Sequence, residues 1–422
     1  MSNSTSEYHN VDFDELMGYL SVPRLNGSQA ERQTRSALLN WLKLHDIPNS
    51  TQTFRLYPHF FVAIGIWLIV SRSLLALAIW LRWGAPAFWI AGIGLLGGLV
   101  DVGWGFPLVS WVGARQGQNI LIKLEPDNPR QEIIFSAHFD SKTELLDHQQ
   151  RMFFIKNLRW GILLTILLGL LGPLDHWLLA TGSRWATFTY WLGVALSLPL
   201  LLLAWGIGLN MSLGRLRTPS QGAVDNGAAC AILLALATHV KEGHTQLNQT
   251  RLTLALFTGE EVNMQGSRAY TSQRSWDLPA LAVNLEVMAQ DGDYVYWEWE
   301  GSSLMLVPTN EQINHAVSEV IEQINAKQPL PGGPVNSDGY SFLRAGIPAT
   351  TIGTYDRVQV DRGFHGPADN LDRVVMERLP QAVQILARFV EKYDRGEYPF
   401  PDPISKDQPL RKIYSYPKGG TP

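Results

Sequence analysis

The chain has 422 residues, enough for a large buried core, and a formal net charge of -4. That balance offers no nucleic-acid surface. A single cysteine, Cys230, excludes both an internal disulfide and a thiolate zinc cluster.

In chain order, the first informative stretch is an apolar block from about Phe60 to Val112. Phe60 to Trp80 is long enough to cross a bilayer, which needs about 20 residues. Arg72 in its middle would need a partner such as Asp101, or water. A turn at Arg82-Trp-Gly-Ala-Pro86 leads into a second apolar run, Ala87 to about Trp111. Asn119-Ile-Leu-Ile then reads as a strand. Glu132-Ile-Ile-Phe-Ser-Ala-His138-Phe-Asp140 is a buried strand running into two polar residues on one side of an extended chain. A metal-binding imidazole with an orienting carboxylate fits this pattern, and so does an ordinary surface loop.

A second apolar block follows, with runs from Trp160 to about Ala180 and from Trp185 to about Leu209. The turn between them is Thr181-Gly-Ser-Arg184, and Pro173, Asp175 and His176 interrupt the third run near its end. Tryptophan marks many run ends, as interfacial anchors do. The expectation is four membrane spans in two hairpins, against the alternative of core helices in a large soluble protein. Each hairpin returns to the side it left. Arg55, Arg115, Lys156, Arg159, Arg215 and Arg217 flank that side, and Arg82 and Arg184 the other. Excess positive charge favours the cytoplasmic face. The first 55 residues hold no signal-peptide pattern, which agrees.

Beyond the second block, Asp225-Asn226 precedes an Ala/Leu helix and could be its N-cap or a metal bridge. The run Leu254-Ala-Leu-Phe-Thr-Gly-Glu260-Glu261 places two carboxylates at the end of an apolar strand. One can bind a cation while its neighbour handles protons. Leu281-Ala-Val-Asn-Leu-Glu286 is another apolar strand ending in a carboxylate. Tyr294 to Glu300 alternates like a strand, Glu311 to Lys327 reads as an amphipathic helix, and Pro329 to Pro334 reads as a loop. Asp338 and Arg344 could contact substrate termini, but they read more simply as a helix cap and a surface charge. His365 sits in a Gly/Pro loop, and the segment after Tyr398 is Pro-rich and irregular. Three strands ending in potential ligands fit an α/β sheet, where sites gather at strand carboxyl ends. Two His, one Asp and two Glu, with a Glu to spare, form an N/O donor set suited to two zinc ions.

Taken together, these motifs resemble the co-catalytic zinc aminopeptidase family, which includes aminopeptidase Y, glutamate carboxypeptidase II and the glutaminyl cyclases. Supporting stretches are Arg24-Leu-Asn-Gly27-Ser28, Gly266-Ser-Arg-Ala-Tyr270 and Ser337-Asp338-Gly-Tyr-Ser-Phe342 through Ala349. The resemblance implies a mixed β-sheet flanked by helices, here with two inserted transmembrane hairpins. The implied division is 1–56, 114–155 and 213–398 for the peptidase, 57–113 and 156–212 for the hairpins, and 399–422 for the tail. It implies two zinc ions per chain, held by His138, Asp225, Glu261, Glu286 and His365. Asp225 bridges them, with a cis peptide often following it in the family. Asp140 orients His138, and Glu260 is the general base and acid. Two residues depart from many relatives, Glu286 in place of Asp and Phe364 in place of Tyr. The implied activity is exopeptidase, chiefly aminopeptidase, on peptide substrates; the inserted hairpins separately add the lipid bilayer as a partner and suggest membrane-associated or apolar peptides. The alternatives are a one-zinc glutaminyl cyclase-like acyltransferase and a non-catalytic receptor or scaffold.

Overall fold

The computed structural model describes residues 11–302, 305–356 and 363–404. In chain order they form α1 (Phe13–Leu20), α2 (Gln29–Leu44), β1 (Asn49–Leu56), α3 (Phe60–Trp80), α4 (Gly84–Leu99), β2 (Arg115–Leu124) and β3 (Gln131–His138). Next come α5 (His148–Lys156), α6 (Leu158–Ala180), α7 (Trp185–Leu213), α8 (Ala228–Lys241), β4 (Thr250–Phe257), α9 (Gln265–Gln273), β5 (Ala280–Leu285) and β6 (Asp293–Ser302). The chain continues through β7 (Met305–Pro308), α10 (Glu311–Asn325), β8 (Leu330–Val335), α11 (Gly339–Arg344), β9 (Ala349–Tyr355) and α12 (Arg378–Asp394). Residues 405–422, most of the Pro-rich tail, lie outside the described residues.

Two compact units result. One comprises Met1–Leu56, Arg115–Lys142 and Ser220–Pro422; the other comprises Tyr57–Ala114 and Thr143–Pro219. Residues 143–155, grouped with the peptidase from sequence, cluster with the long apolar helices. The reason is local: α5 starts at a capping box on Asp147, and Leu146 donates its N–H to Asn210 Oδ1 of α7 at 2.8 Å.

The first unit is built on a nine-stranded sheet in the order β1-β2-β4-β3-β5-β9-β6-β7, with β8 paired to β6. β4, β3, β5 and β9 run parallel, and β1, β2 and β6 join antiparallel. Strands β3, β4 and β5 are almost continuously buried because both sheet faces are covered. Their side chains alternate between two cores. Leu252, Leu254 and Leu256 pack with α1, α2, α8, α10 and α12, while Ala255 and Phe257 pack with Tyr270 of α9 and Phe342 of α11. One sequence expectation is corrected: Pro329 to Pro334 is not a loop but largely β8. It pairs in parallel with β6 alone, an edge position where proline's missing N–H is tolerated.

The second unit contains α3 to α7. Its contacts join α3 with α7, α4 with α6, α6 with α7 and α3 with α4, around Leu75, Ala78, Ala87, Leu168 and Leu200. Small residues bring the helices close: a Cβ on Gly172 would stand 2.6 Å from the Ala87 Cβ. Large apolar side chains such as Trp89, Leu170, Trp191 and Leu202 point outward. Inside, Arg82 pairs with Asp175 at 3.2 Å, and Thr189 donates to the same carboxylate at 2.7 Å. Arg72 donates to Ser71 Oγ at 2.8 Å. Asp101, weighed as its partner, accepts the N–H groups of Leu108, Val109 and Ser110 at 2.8–2.9 Å. The second apolar run ends earlier than Trp111. Helical structure stops at Trp104, where Gly105 turns left-handed ahead of Pro107. By length and composition the segments Phe60–Trp80, Gly84–Trp104, His148–Ala180 and Trp185–Leu216 could each cross a membrane. Ala223–Lys241 meets the same measure but is wholly buried in the first unit.

Candidate metal centre

The parallel strands deliver the site residues to one edge of the sheet. His138 is the last residue of β3 and lies in register with Phe257 of β4; Ser136 lies in register with Asn284 of β5. Glu260 and Glu261 follow β4 by three and four residues, after a left-handed turn at Gly259 (φ 84°) that lets the chain double back. Glu286 follows β5 directly. Asp225 stands in the distorted turn before α8, with a cis peptide to Asn226. His365 reaches the cluster from a loop in which its own φ is 57°, an unfavourable value for a residue with a Cβ.

Two groups form. His138 Nε2 lies 3.3 Å from Asp225 Oδ1 and 3.4 Å from Glu286 Oε1. His365 Nε2 lies 3.2 Å from Asp225 Oδ2 and 3.0 Å from Glu261 Oε1. Asp225 therefore offers one oxygen to each group. In both groups the candidate ligand atoms lie within 4.8 Å of one another. Glu260 belongs to neither; its Oε2 is 3.8 Å from His138 Nε2.

Asp140 has a wider task than sequence reasoning gave it. His138 Nδ1 is nearer the Asp140 carbonyl (3.2 Å) than its carboxylate (3.6 Å). The carboxylate accepts the N–H of Glu261 at 3.0 Å, that of Glu260 at 3.4 Å and the Asn26 amide at 2.7 Å. It thus holds both acidic residues by their backbone. Other supports were missed. Asn284 Nδ2 reaches Glu286 Oε2 at 3.4 Å and Ser337 Oγ at 3.1 Å, and its Oδ1 accepts from Ser136 at 2.8 Å. Asn226 Nδ2 donates to the Leu285 carbonyl at 2.7 Å. Asp369 accepts from the Val224 N–H at 2.8 Å, beside Asp225. Polar residues inside otherwise apolar strands, Ser136 and Asn284, were the signal that could have found this network. Asp338 makes no capping bond to α11; it is fully buried, and burial pushes its carboxyl up to about 7.

Burial, reinforced by Glu261 and Glu286, holds the Glu260 carboxyl well above its usual range. Burial likewise raises Glu286. Burial opposes charge on His138 too, but Glu286, Asp140 and Asp225 outweigh it and lift the imidazole well above its ordinary value. Asp225 is buried as well, yet the two histidines hold it below the carboxylate range. A dication held among these groups would oppose the rises at Glu260, Glu286 and His138 and reinforce the lowering at Asp225.

The donors fit zinc. Tetrahedral coordination at 2.0–2.2 Å sets neighbouring ligands about 3.4 Å apart. The four nitrogen–oxygen separations of the two groups, 3.0–3.4 Å, match that edge. Among the described residues, Glu261 Oε1 is buried and makes no hydrogen bond although His365 Nε2 is 3.0 Å away, as a ligand atom aimed at an ion would be.

Known proteins resemble this chain in sequence and in fold. Residues 209–390 match the model described as peptidase family M28. Aminopeptidase YwaD of Bacillus subtilis (strain 168) is 27% identical over 180 residues, a match spanning 40% of this chain and 37% of that protein. Among solved structures, the Fimbriiglobus ruber glutaminyl cyclase aligns with a TM-score of 0.53 at 15% identity, covering 90% of this chain and 95% of its own. A Zn-dependent exopeptidase from Parabacteroides distasonis aligns with a TM-score of 0.52 at 13% identity, covering 92% and 98%. These two establish the fold.

Proposed function

We propose that this chain, whose residues 209–390 match the model described as peptidase family M28, is a membrane-anchored zinc exopeptidase that releases residues from the amino end of peptides. The observation that carries this reading is the pair of donor groups sharing Asp225, with Glu260 left over. His138, Asp225 and Glu286 would hold one zinc; Asp225, Glu261 and His365 the other. When bound, zinc would polarise a carbonyl and lower the pKa of water to near neutrality. Glu260 is the carboxylate free to take a proton from the attacking water and to return it to the leaving amine. Asp140 fixes where Glu260 stands by gripping the Glu260–Glu261 backbone.

A glutaminyl cyclase-like acyltransferase with one zinc is the second reading, because the fold is equally close to such an enzyme. The complete second group, Asp225, Glu261 and His365, favours two ions and hydrolysis. Anchoring is supported by four long helices with apolar outward faces. The basic residues at the ends of these helices support a cytoplasmic catalytic unit.

The test is hydrolysis of peptides with free and with blocked amino ends by protein purified in detergent, wild type beside Glu260→Gln. The proposal expects cleavage of the free-ended peptides only. It expects a loss of about 10²–10⁴-fold in kcat for the variant, the usual yield of general acid–base catalysis, with zinc retained. Equal rates in both proteins, or cyclisation of N-terminal glutamine without hydrolysis, would remove it.

A further inference from the structure

The segment between α1 and α2 carries Arg24, whose side chain is completely buried. Burying a guanidinium is costly unless its donors are used. Here they are spent on backbone carbonyls. Nε donates to Phe139 O at 2.5 Å, Nη1 to Val22 O at 2.8 Å and Gln221 O at 2.7 Å, and Nη2 to Gly222 O at 2.8 Å. Nη1 also donates to Leu20 O. The Arg24 backbone adds two bonds, N–H to Ser141 Oγ at 2.8 Å and carbonyl from the Ser141 N–H at 3.0 Å.

The acceptors form a pattern. Phe139 separates His138 from Asp140. Gln221 and Gly222 lead into Asp225. These two segments of the first unit are parted in sequence by the whole excursion Thr143–Pro219. One planar fork ties them together where the chain leaves the unit and where it returns. Arg24 stands beside no candidate ligand atom in these bonds; it acts on the backbone that carries the ligands.

We infer that Arg24 is a positioning residue of the metal centre: its guanidinium fixes the spacing between the His138–Asp140 segment and the Gln221–Asp225 segment, and so the placement of His138 against Asp225. This rests on the zinc reading above. Lysine cannot substitute, because an ammonium is a point charge with no planar fork to span both segments. Gly222 belongs to the same device. Its φ is +62°, and a Cβ there would come 2.8 Å from Arg24 Nη2 and 2.7 Å from the Ser141 Cβ.

The experiment is zinc titration against a competing chelator on the full chain in detergent, for wild type, Arg24→Lys and Gly222→Ala. Circular dichroism and the melting temperature of the metal-free protein are recorded for each. Both variants, as folded protein, are expected to bind zinc about 10–100-fold more weakly, the usual effect of losing an outer partner of a metal ligand. Arg24→Lys keeps the charge, so a loss there isolates geometry. If Arg24→Lys does not fold, Gly222→Ala, which keeps Arg24, decides. Variants that melt lower but titrate like wild type would overturn the inference and leave Arg24 a fold residue. A wild type that takes up no zinc would overturn the zinc reading itself, and the inference with it.

Discussion

Glu260 and Glu261 are neighbours in sequence with different surroundings in space: Glu261 lies against His365, and Glu260 stands outside both donor groups. The division of labour proposed for them could be suggested from the chain because only a short list of residue types can bind zinc or carry protons. His138, Asp225, Glu286 and His365 converge with them for the same reason. The supporting residues were not legible. Asn26, Asn226, Asn284 and Ser337 act through hydrogen bonds that many polar residues can make, so their type gives no signal without contacts. Glu300 is a further case. An alternating strand suggested only a sheet face, yet Glu300 is fully buried, accepts from Ser337 Oγ at 2.7 Å and also from Thr351 Oγ1. Burial pushes its carboxyl up to about 8 from the ordinary 4.5. The folded state therefore holds this proton more tightly than the unfolded chain. The stability it contributes is complete below about pH 4.5 and is lost as pH rises through about 8. Thermal unfolding of the metal-free protein between pH 5 and pH 9 should show a smaller fall in stability for Glu300→Gln than for wild type. Parallel curves would rule out a buried, protonated Glu300.

At the scale of elements, the chain announced the long apolar helices and the fully buried strands, since both are continuous patterns. It hid the short or mixed ones. β8 is built from Pro and Gly, which ordinarily argue for a loop, and only its edge position permits it. β1 is polar along most of its length because it closes one edge of the sheet on β2. The apolar helices also carry the proposal about the membrane, and its test belongs here. Cys230 is buried, so an introduced cysteine reports alone. Ser183→Cys, in the α6–α7 turn, should react with an impermeant maleimide added outside intact cells, and Gln149→Cys, at the other end of the bundle, should not. The reverse pattern would invert the orientation; labelling of both would remove the spans.

At the scale of the molecule, the average composition of an ordinary globular protein conceals two units of different character. One hides its apolar residues under helices on both faces of a sheet; the other turns them outward. The sheet-containing unit is written in three pieces of sequence, yet the candidate centre draws on all three: Asn26 from the first, His138 and Asp140 from the second, and the remaining donors from the third. The central claim is that this assembly holds two ions. The most direct measurement is zinc per chain by native mass spectrometry on detergent-solubilised wild type beside His365→Ala. The account predicts two zinc ions in the wild type and one in the variant, with His138, Asp225 and Glu286 intact. One ion in the wild type, undisturbed by His365→Ala, or none in either protein, would contradict it.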